Sequence, residues 1–427
     1  MITQTEWLES LTQNNTPDFA ECLHYLSSAF PLLTQLESTI QDPEWHAEGN
    51  VARHTEAVLN ELYQLLKNDA VHITGRERQA LILAALLHDI AKPLTTRTRE
   101  IDGNIRITSP RHETEGRNLI AIPLMSLNLD YSVVTRIMGL VGYHNWPKLL
   151  VIKNAEYRKY LQLALNADIQ LLYWLELADM LGRNCPDKQK QLAILAEYRM
   201  FAEEYQLWKY SDIEAFLCKD IQVKATVYQQ RYVNGYAVNE LIRGDISLPS
   251  EAIARTYEHC QKYSRLYLLF GISGSGKSEW IKQHKQNNWH VISLDKIREE
   301  LHGDRSNQKN RGQVLQIART RLKAALATKH DIVWDATNLR NDYRNQLTTL
   351  GRNYGALIIL VIFHLDETTL QRQNLARPYS VPTHVLQRQI ETIQWPTAEE
   401  AHQQLVIGKN GEILLYSNNF DCDGAVP

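Results

Sequence analysis

Near residue 260 the spacing of apolar residues switches from helical to strand-like, so no architecture of a single class accommodates the whole chain. Before the switch, apolar positions recur every three to four residues in FAECLHYLSSAF, NVARHTEAVLNELYQLL, RERQALILAALLHDIA and LQLALNADIQLLYWLELADML. No run of strands interrupts them, and Pro93, Gly103, Pro110 and Gly116 mark loops, with ITSPRHETEG between helices. After it, RLYLLF, HVISLD, DIVWDAT and ALIILVIFHL alternate with helical stretches, the pattern of a parallel sheet covered by helices. The expected fold is therefore an all-α domain over 1–205, a helical connector over 206–262 broken by Gly244 and Pro249, and an α/β domain over 263–427.

Composition narrows the class further. At 427 residues, with 44% hydrophobic and 22% charged residues, the chain can bury two cores and is not disordered. The longest apolar run, Ala356 to Phe363, is far short of the roughly 20 residues that cross a bilayer, and MITQTEWLES lacks the features of a leader. A cytoplasmic protein without a membrane partner is expected. Five scattered cysteines with no C-x-x-C pair argue against a disulfide framework. Residues 264–427 carry 20 Lys and Arg against 16 Asp and Glu, whereas 1–263 carry 26 against 33. Seven of the 15 histidines fall between His24 and His144.

The α/β half opens with a strand, LYLLF, then Gly271-Ile272-Ser273-Gly274-Ser275-Gly276-Lys277-Ser278, then a helix. That is the context of a phosphate-binding (Walker A) loop. Gly271, Ser273, Gly274, Ser275 and Gly276 let backbone N–H groups wrap phosphates, Lys277 reaches the terminal ones, and Ser278 is placed to ligate Mg²⁺. The next strand brings Asp295 and, one turn on, Arg298 to the sheet edge where ligands bind. As a pair they suit a proton acceptor and a phosphate clamp, or else an N-cap and a surface ion pair. Asp335 ends the third strand, where it either orients the water around Mg²⁺ or only finishes the strand. Arg372 and Arg377, ahead of SVPTHVL, sit where a lid closes over nucleotide.

In the helical half, His54, the pair His88-Asp89 and Asp179 interrupt otherwise apolar helices. Burying them against Leu and Ala costs several kcal/mol, roughly, unless a partner is present. A divalent cation answers all of them together, and imidazole with carboxylate suits Mn, Fe, Co, Ni or Zn. His112 and His144 raise the set to six, more than one ion with a water needs, so two metals bridged by Asp89 are expected. His46 is expected to support this set from behind. Lys92, read from its place near a helix end, is a surface residue offsetting the helix dipole; Arg183 is either a phosphate ligand or solvated.

These motifs carry resemblances. GISGSGKS, SLDKIR, WDATNLR and the Arg372/Arg377 segment with SVPTHVL resemble the polynucleotide 5′-hydroxyl kinases of phage and bacterial RNA repair, over about 264–405. The resemblance implies ATP or GTP with Mg²⁺ on Lys277 and Ser278, Asp295 as general base, Arg298 on the acceptor's phosphate, and Arg372 and Arg377 in the lid. DPEWHAEGNVARHT, LLHDIAKP and ADMLGR are similar to the HD phosphohydrolase superfamily, in particular to the HD region of bacterial tRNA nucleotidyltransferases, over about 20–200. This implies metal ligation by His54, His88, Asp89 and Asp179, with His112 and His144 matching the two-metal branch, and phosphate contact by Lys92. In that order the two halves resemble the bacterial HD-Pnk end-healing enzymes, which implies RNA or DNA strand ends as substrates and a nucleic-acid ligase as functional partner. The cluster Lys309, Arg311, Arg319, Arg321 and Lys323 is compatible with a strand-contacting surface. Two rival expectations stand beside this one: a nucleotide hydrolase fused to a small-molecule kinase, and an HD ligand sensor gating an ATPase.

Overall fold

The structure, a computed structural model, describes residues 2–210, 212–223, 227–258, 262–305 and 309–417. The chain divides into two compact units, 1–213 and 214–427. Cys22, Cys185 and Cys218 are free thiols; Cys260 and Cys422 lie outside the described residues.

The first unit is helical around Gly75–Leu87, a helix whose residues from Arg78 to Leu87 are all buried. A helix apolar on every side has to be central, and Val51–Asn68, Tyr131–Tyr143 and Ile169–Gly182 pack against it. Polar caps start its neighbours at defined points. Asn50 accepts from the Arg53 N–H (2.9 Å) and Asp168 from the N–H groups of Gln170 and Leu171 (3.1 Å each). The helical reading of this half holds, with two short strands added to it. Arg97–Ile101 (β1) and Asn104–Thr108 (β2) form an antiparallel hairpin. Its turn, Asp102-Gly103, holds both residues at positive φ (51° and 77°), which is the two-residue turn that matches strand twist. Both strands are largely exposed, so no apolar alternation announces them.

The second unit carries a six-stranded sheet in the order β4-β5-β3-β6-β7-β8, formed by β3 (Arg265–Phe270), β4 (Trp289–Ser293), β5 (Asp331–Asp335), β6 (Leu357–Phe363), β7 (Gln403–Ile407) and β8 (Ile413–Tyr416). All pairs are parallel except β7 with β8, so the sheet is parallel with one antiparallel edge strand. β3 and β6 are buried almost throughout, which is why they read as continuous apolar runs. From Glu214 on, the stretch expected as a connector packs with this unit. In helix Val227–Arg243, Tyr232 donates to the Gly355 carbonyl (3.0 Å) and Asn239 to that of Glu399 (2.9 Å). Among the described residues no helix is long and apolar enough to cross a membrane.

Candidate functional site

Each unit holds its own site, and in the first the site is built from helix ends. His88 and His144 are the C-cap residues of Gly75–Leu87 and Tyr131–Tyr143, His112 opens helix His112–Leu124, and Asp179 lies in the last turn of Ile169–Gly182. The last carbonyls of a helix have no partner within it. Here the imidazoles take them: His88 Nδ1 donates to Ala85 O (2.8 Å) and His144 Nδ1 to Val141 O (2.9 Å). His112 Nδ1 donates in the same way to Ser109 O (2.7 Å). A carbonyl only accepts, so each Nδ1 carries the proton and each Nε2 turns a bare lone pair inward.

Those lone pairs meet other acceptors. His112 Nε2 lies 3.1 Å from His144 Nε2 and 3.2 Å from Asp89 Oδ1. The other Asp89 oxygen lies 3.3 Å from His88 Nε2 and 3.8 Å from His54 Nε2, which is itself 2.8 Å from Asp179 Oδ1. His54 Nε2, His88 Nε2 and Asp89 Oδ1 are buried without a hydrogen-bond partner, and Asp89 Oδ2 has the Lys92 ammonium beside it. Converging acceptors in a buried setting repel unless cations lie between them. The six residues singled out in the sequence therefore come together as two groups able to hold metal, His54/His88/Asp179 and Asp89/His112/His144, with one Asp89 oxygen facing each. These residues fit divalent ions.

The buried charges act on each group differently. Burial works against charging His88, yet the Asp89 and Asp179 carboxylates more than offset it and raise its pKa. His144, buried beside His112 and His88, is pushed down to about 3. Burial opposes ionisation of Asp89 and Asp179 too. Even so, His88 and Lys92 hold the first well below the usual carboxylate range, and Arg183 with His54 hold the second there.

Lys92 is not the surface residue expected from its position. It is buried, 2.7 Å from Asp89 Oδ2, and its ammonium donates to Gln41 Oε1 (2.6 Å). Arg183 spans both oxygens of Asp179 and also lines the cleft leading to the centre. Several participants carried no usable signal in the sequence. Glu48 Oε1 sits 2.9 Å from His46 Nδ1 and 3.0 Å from His54 Nδ1, making a third group able to ligate. Asn145 donates to Glu113 Oε1 (2.7 Å), its amide nitrogen 3.4 Å from His144 Nε2. Asp42 accepts from the Ile107 N–H (3.1 Å) and from Arg106, tying the hairpin to the mouth of the cleft.

In the second unit, β3 runs into the loop 271–276 and helix Lys277–His284. Gly274 (φ +85°) illustrates why glycine is needed: a Cβ there would lie 2.8 Å from Leu370 O and 3.0 Å from Asn374 N. Lys277 Nζ donates to Gly271 O (2.7 Å) and Ile272 O (2.8 Å), and the Ser273 N–H to Gln389 Oε1 (2.8 Å) from helix Thr383–Glu391. Gln389 thus holds a loop amide, a contact the sequence did not suggest. Burial in the loop pulls Lys277 down to about 8, with Asp335 opposing and Arg377 adding to the fall. Asp335 is raised by its own burial, against a hydrogen bond from Ser293. Asp295, in the first turn of helix Leu294–His302, pairs with Arg298 and is 60% exposed. Lys277, Asp335, Asp295 and Arg377 lie near enough to act on one another's charge, and Arg372 is exposed on helix Glu367–Leu375. Of the basic cluster, Arg321 pairs with Glu300 (2.5 Å) and Arg311 stacks over Tyr343.

Comparison with known proteins follows the same division. Residues 51–146 match the HD domain family model and residues 266–396 match the AAA domain family model. A search of curated proteins gives no match. Among solved structures, the crystal structure of a gluconokinase from Sinorhizobium meliloti 1021 is similar at 22% identity, covering 35% of this chain and 85% of that one, with a TM-score of 0.27. The chain thus joins a helical unit that matches the HD domain model to a unit with a phosphate-loop sequence and a mostly parallel sheet that matches the AAA domain model.

Proposed function

We propose that the chain heals broken nucleic-acid ends. The first unit hydrolyses 2′,3′-cyclic phosphate and 2′- or 3′-phosphate ends, and the second transfers the γ-phosphate of an NTP to a 5′-hydroxyl end. The products are those a ligase consumes, so a nucleic-acid ligase is the functional partner. The observation that carries the polynucleotide reading is the exposure of Asp295: a carboxylate 60% open to solvent, beside the phosphate loop, is reachable by the end of a long strand. A site selecting a small metabolite encloses it instead.

In the first unit, His54, His88 and Asp179 would hold one divalent ion and His112 and His144 another, with Asp89 between them. Such ions, when bound, supply Lewis acidity and make a water acidic enough to lose its proton near neutral pH. The chain's own side chains position the ester. Gln41 holds the Lys92 ammonium beside Asp89, where it meets a phosphate oxygen entering the cleft, and Arg183 keeps Asp179 ionised. Hydrolysis adds one water across each P–O bond: the cyclic diester opens to a monoester, and the monoester releases inorganic phosphate.

In the second unit, Ser278 would hold Mg²⁺ with the nucleotide. Arriving phosphates take the Lys277 ammonium from the Gly271 and Ile272 carbonyls, and the Ser273 N–H from Gln389. Asp295 accepts the proton of the 5′-hydroxyl as its oxygen bonds to the γ-phosphorus and the bond to the β-phosphate oxygen breaks, releasing NDP. Arg298 orients Asp295, and Arg377 adds positive charge near Lys277 as charge develops on the transferred group.

The test is an RNA carrying a 5′-hydroxyl and a 2′,3′-cyclic phosphate, incubated with ATP, Mg²⁺ and Mn²⁺, with both ends read. A 5′-phosphate and a free 2′,3′-diol are expected. Phosphorylation of nucleosides in preference to the strand would favour the small-molecule reading and defeat this one.

A further inference from the structure

We infer that the indole of Trp45 is a stacking platform for the nucleobase at the strand end whose phosphate the first unit hydrolyses. The inference rests on the hydrolase reading above and names the part of the substrate that reading leaves without a partner.

A cleft of about 230 Å³ leads to the metal-binding groups, with His112, Lys92 and Arg183 among its polar lining and Trp45 and Ile107 as its apolar one. The chain has nine tryptophans, and Trp45 is the exposed one, at 40%. Leaving an indole in water costs apolar burial, so its place on the cleft needs a reason.

The turn carrying it is held firmly. The N–H groups of Trp45 and His46 donate to Asp42 O (3.2 and 2.8 Å). The Asp42 carboxylate accepts from the N–H groups of Glu44 and Ile107 (3.1 Å each). A turn held in this way fixes the backbone from which the indole reaches the cleft, so little backbone freedom is lost when a flat partner binds.

The two halves of the cleft suit the two halves of a nucleotide. Lys92 and Arg183 are cations for the phosphate, and they would accept any phosphate ester alike. Trp45 offers a π face, which every base can meet, so recognition is of a base and not of a sequence. Base-on-aromatic stacking is worth about 1–3 kcal/mol, roughly a fivefold to 150-fold effect on binding.

The test compares two 3′-phosphate-ended RNA oligonucleotides on the Mn²⁺-loaded full chain, identical except that one has an abasic terminal ribose. The wild type should favour the intact end by about tenfold in kcat/KM, expressed mainly in KM. Trp45→Ala should bring the ratio of the two substrates close to one, and Trp45→Phe should restore most of it. A wild type that does not distinguish the two substrates overturns the inference while leaving the hydrolase reading intact. So does a Trp45→Ala variant with the wild-type ratio. If the wild type hydrolyses neither substrate, both fall together.

Discussion

Gly182 is where helix Ile169–Gly182 crosses helix Val51–Asn68, and the crossing is what brings Asp179 to His54. A Cβ at residue 182 would lie 2.8 Å from Val58 N and 3.1 Å from the carbonyl carbon of Ala57. Both are backbone atoms of a helix, so neither can rotate away. Ordinary contact begins near 3.4 Å, and Gly182→Ala therefore forces the helices apart by roughly 0.6 Å. Overpacking of this kind costs about 1–3 kcal/mol. The displacement acts three residues from Asp179, where His54 Nε2 and Asp179 Oδ1 are 2.8 Å apart, and metal ligands tolerate errors of only about 0.2 Å. The expected result is a fall of several degrees in the melting of the first unit, with metal content below the wild type after dialysis and hydrolysis reduced at least tenfold. Kinase activity should be retained. Calorimetry and metal analysis of the purified variant check both effects. Wild-type melting with full metal content would refute the reasoning, because it would mean that the crossing has slack.

The other predictions concern the second unit. Asp295→Asn should lower 5′-phosphorylation by about 10²–10⁴-fold, the usual worth of a general base, with nucleotide binding unchanged by titration calorimetry. A parallel loss of nucleotide binding would place Asp295 in the wrong role. Lys277, drawn down from 10.5 to about 8, sheds its proton in the folded protein before it would in the unfolded chain. The unfolded state thus binds more protons between about pH 8 and 10, and this group's contribution to stability rises with pH across that window. Nucleotide phosphates restore the charge, so binding near pH 9 should take up a proton and binding near pH 6.5 should not. Calorimetry in buffers of different ionisation enthalpy reads the difference. Arg344 and Glu400 form a buried two-bond pair (2.6 and 2.9 Å), and Arg344 also donates to the Asn338 carbonyl behind the phosphate loop (2.9 Å). Glu400→Ala should cost about 3–5 kcal/mol by stranding the guanidinium. Removing the exposed Arg340–Asp342 pair should cost under about 1 kcal/mol in the same denaturation assay.

Much of this was legible in the residues because the strongest signals are periodic or chemically costly. The apolar runs of β3 and β6 announce strands buried on both faces, and glycines in the loop 271–276 announce a backbone that must approach phosphate. His54, His88, Asp89 and Asp179 stood out because ionisable groups in apolar helices need partners, and the structure gathers them into groups able to hold a cation. What was missed lacks such a cost. The hairpin 97–108 is largely exposed, so no apolar alternation marked it, and Gly103 read only as a loop. Lys92 looked like a surface lysine because the sequence does not show that Gln41, 51 residues earlier, receives its ammonium. The pairings of Glu113 with Asn145 and of Gln389 with Ser273 join positions 32 and 116 residues apart, and only the fold makes them neighbours.

The claim on which the rest depends is that six side chains of the first unit hold two cations across Asp89. Crystals of the full chain grown with Mn²⁺ and measured at the manganese absorption edge would test it directly. Two anomalous peaks flanking the Asp89 carboxylate are predicted, one against His54, His88 and Asp179 and the other against His112 and His144. An anomalous map with no peak among these residues, in crystals that hold manganese elsewhere, would contradict it.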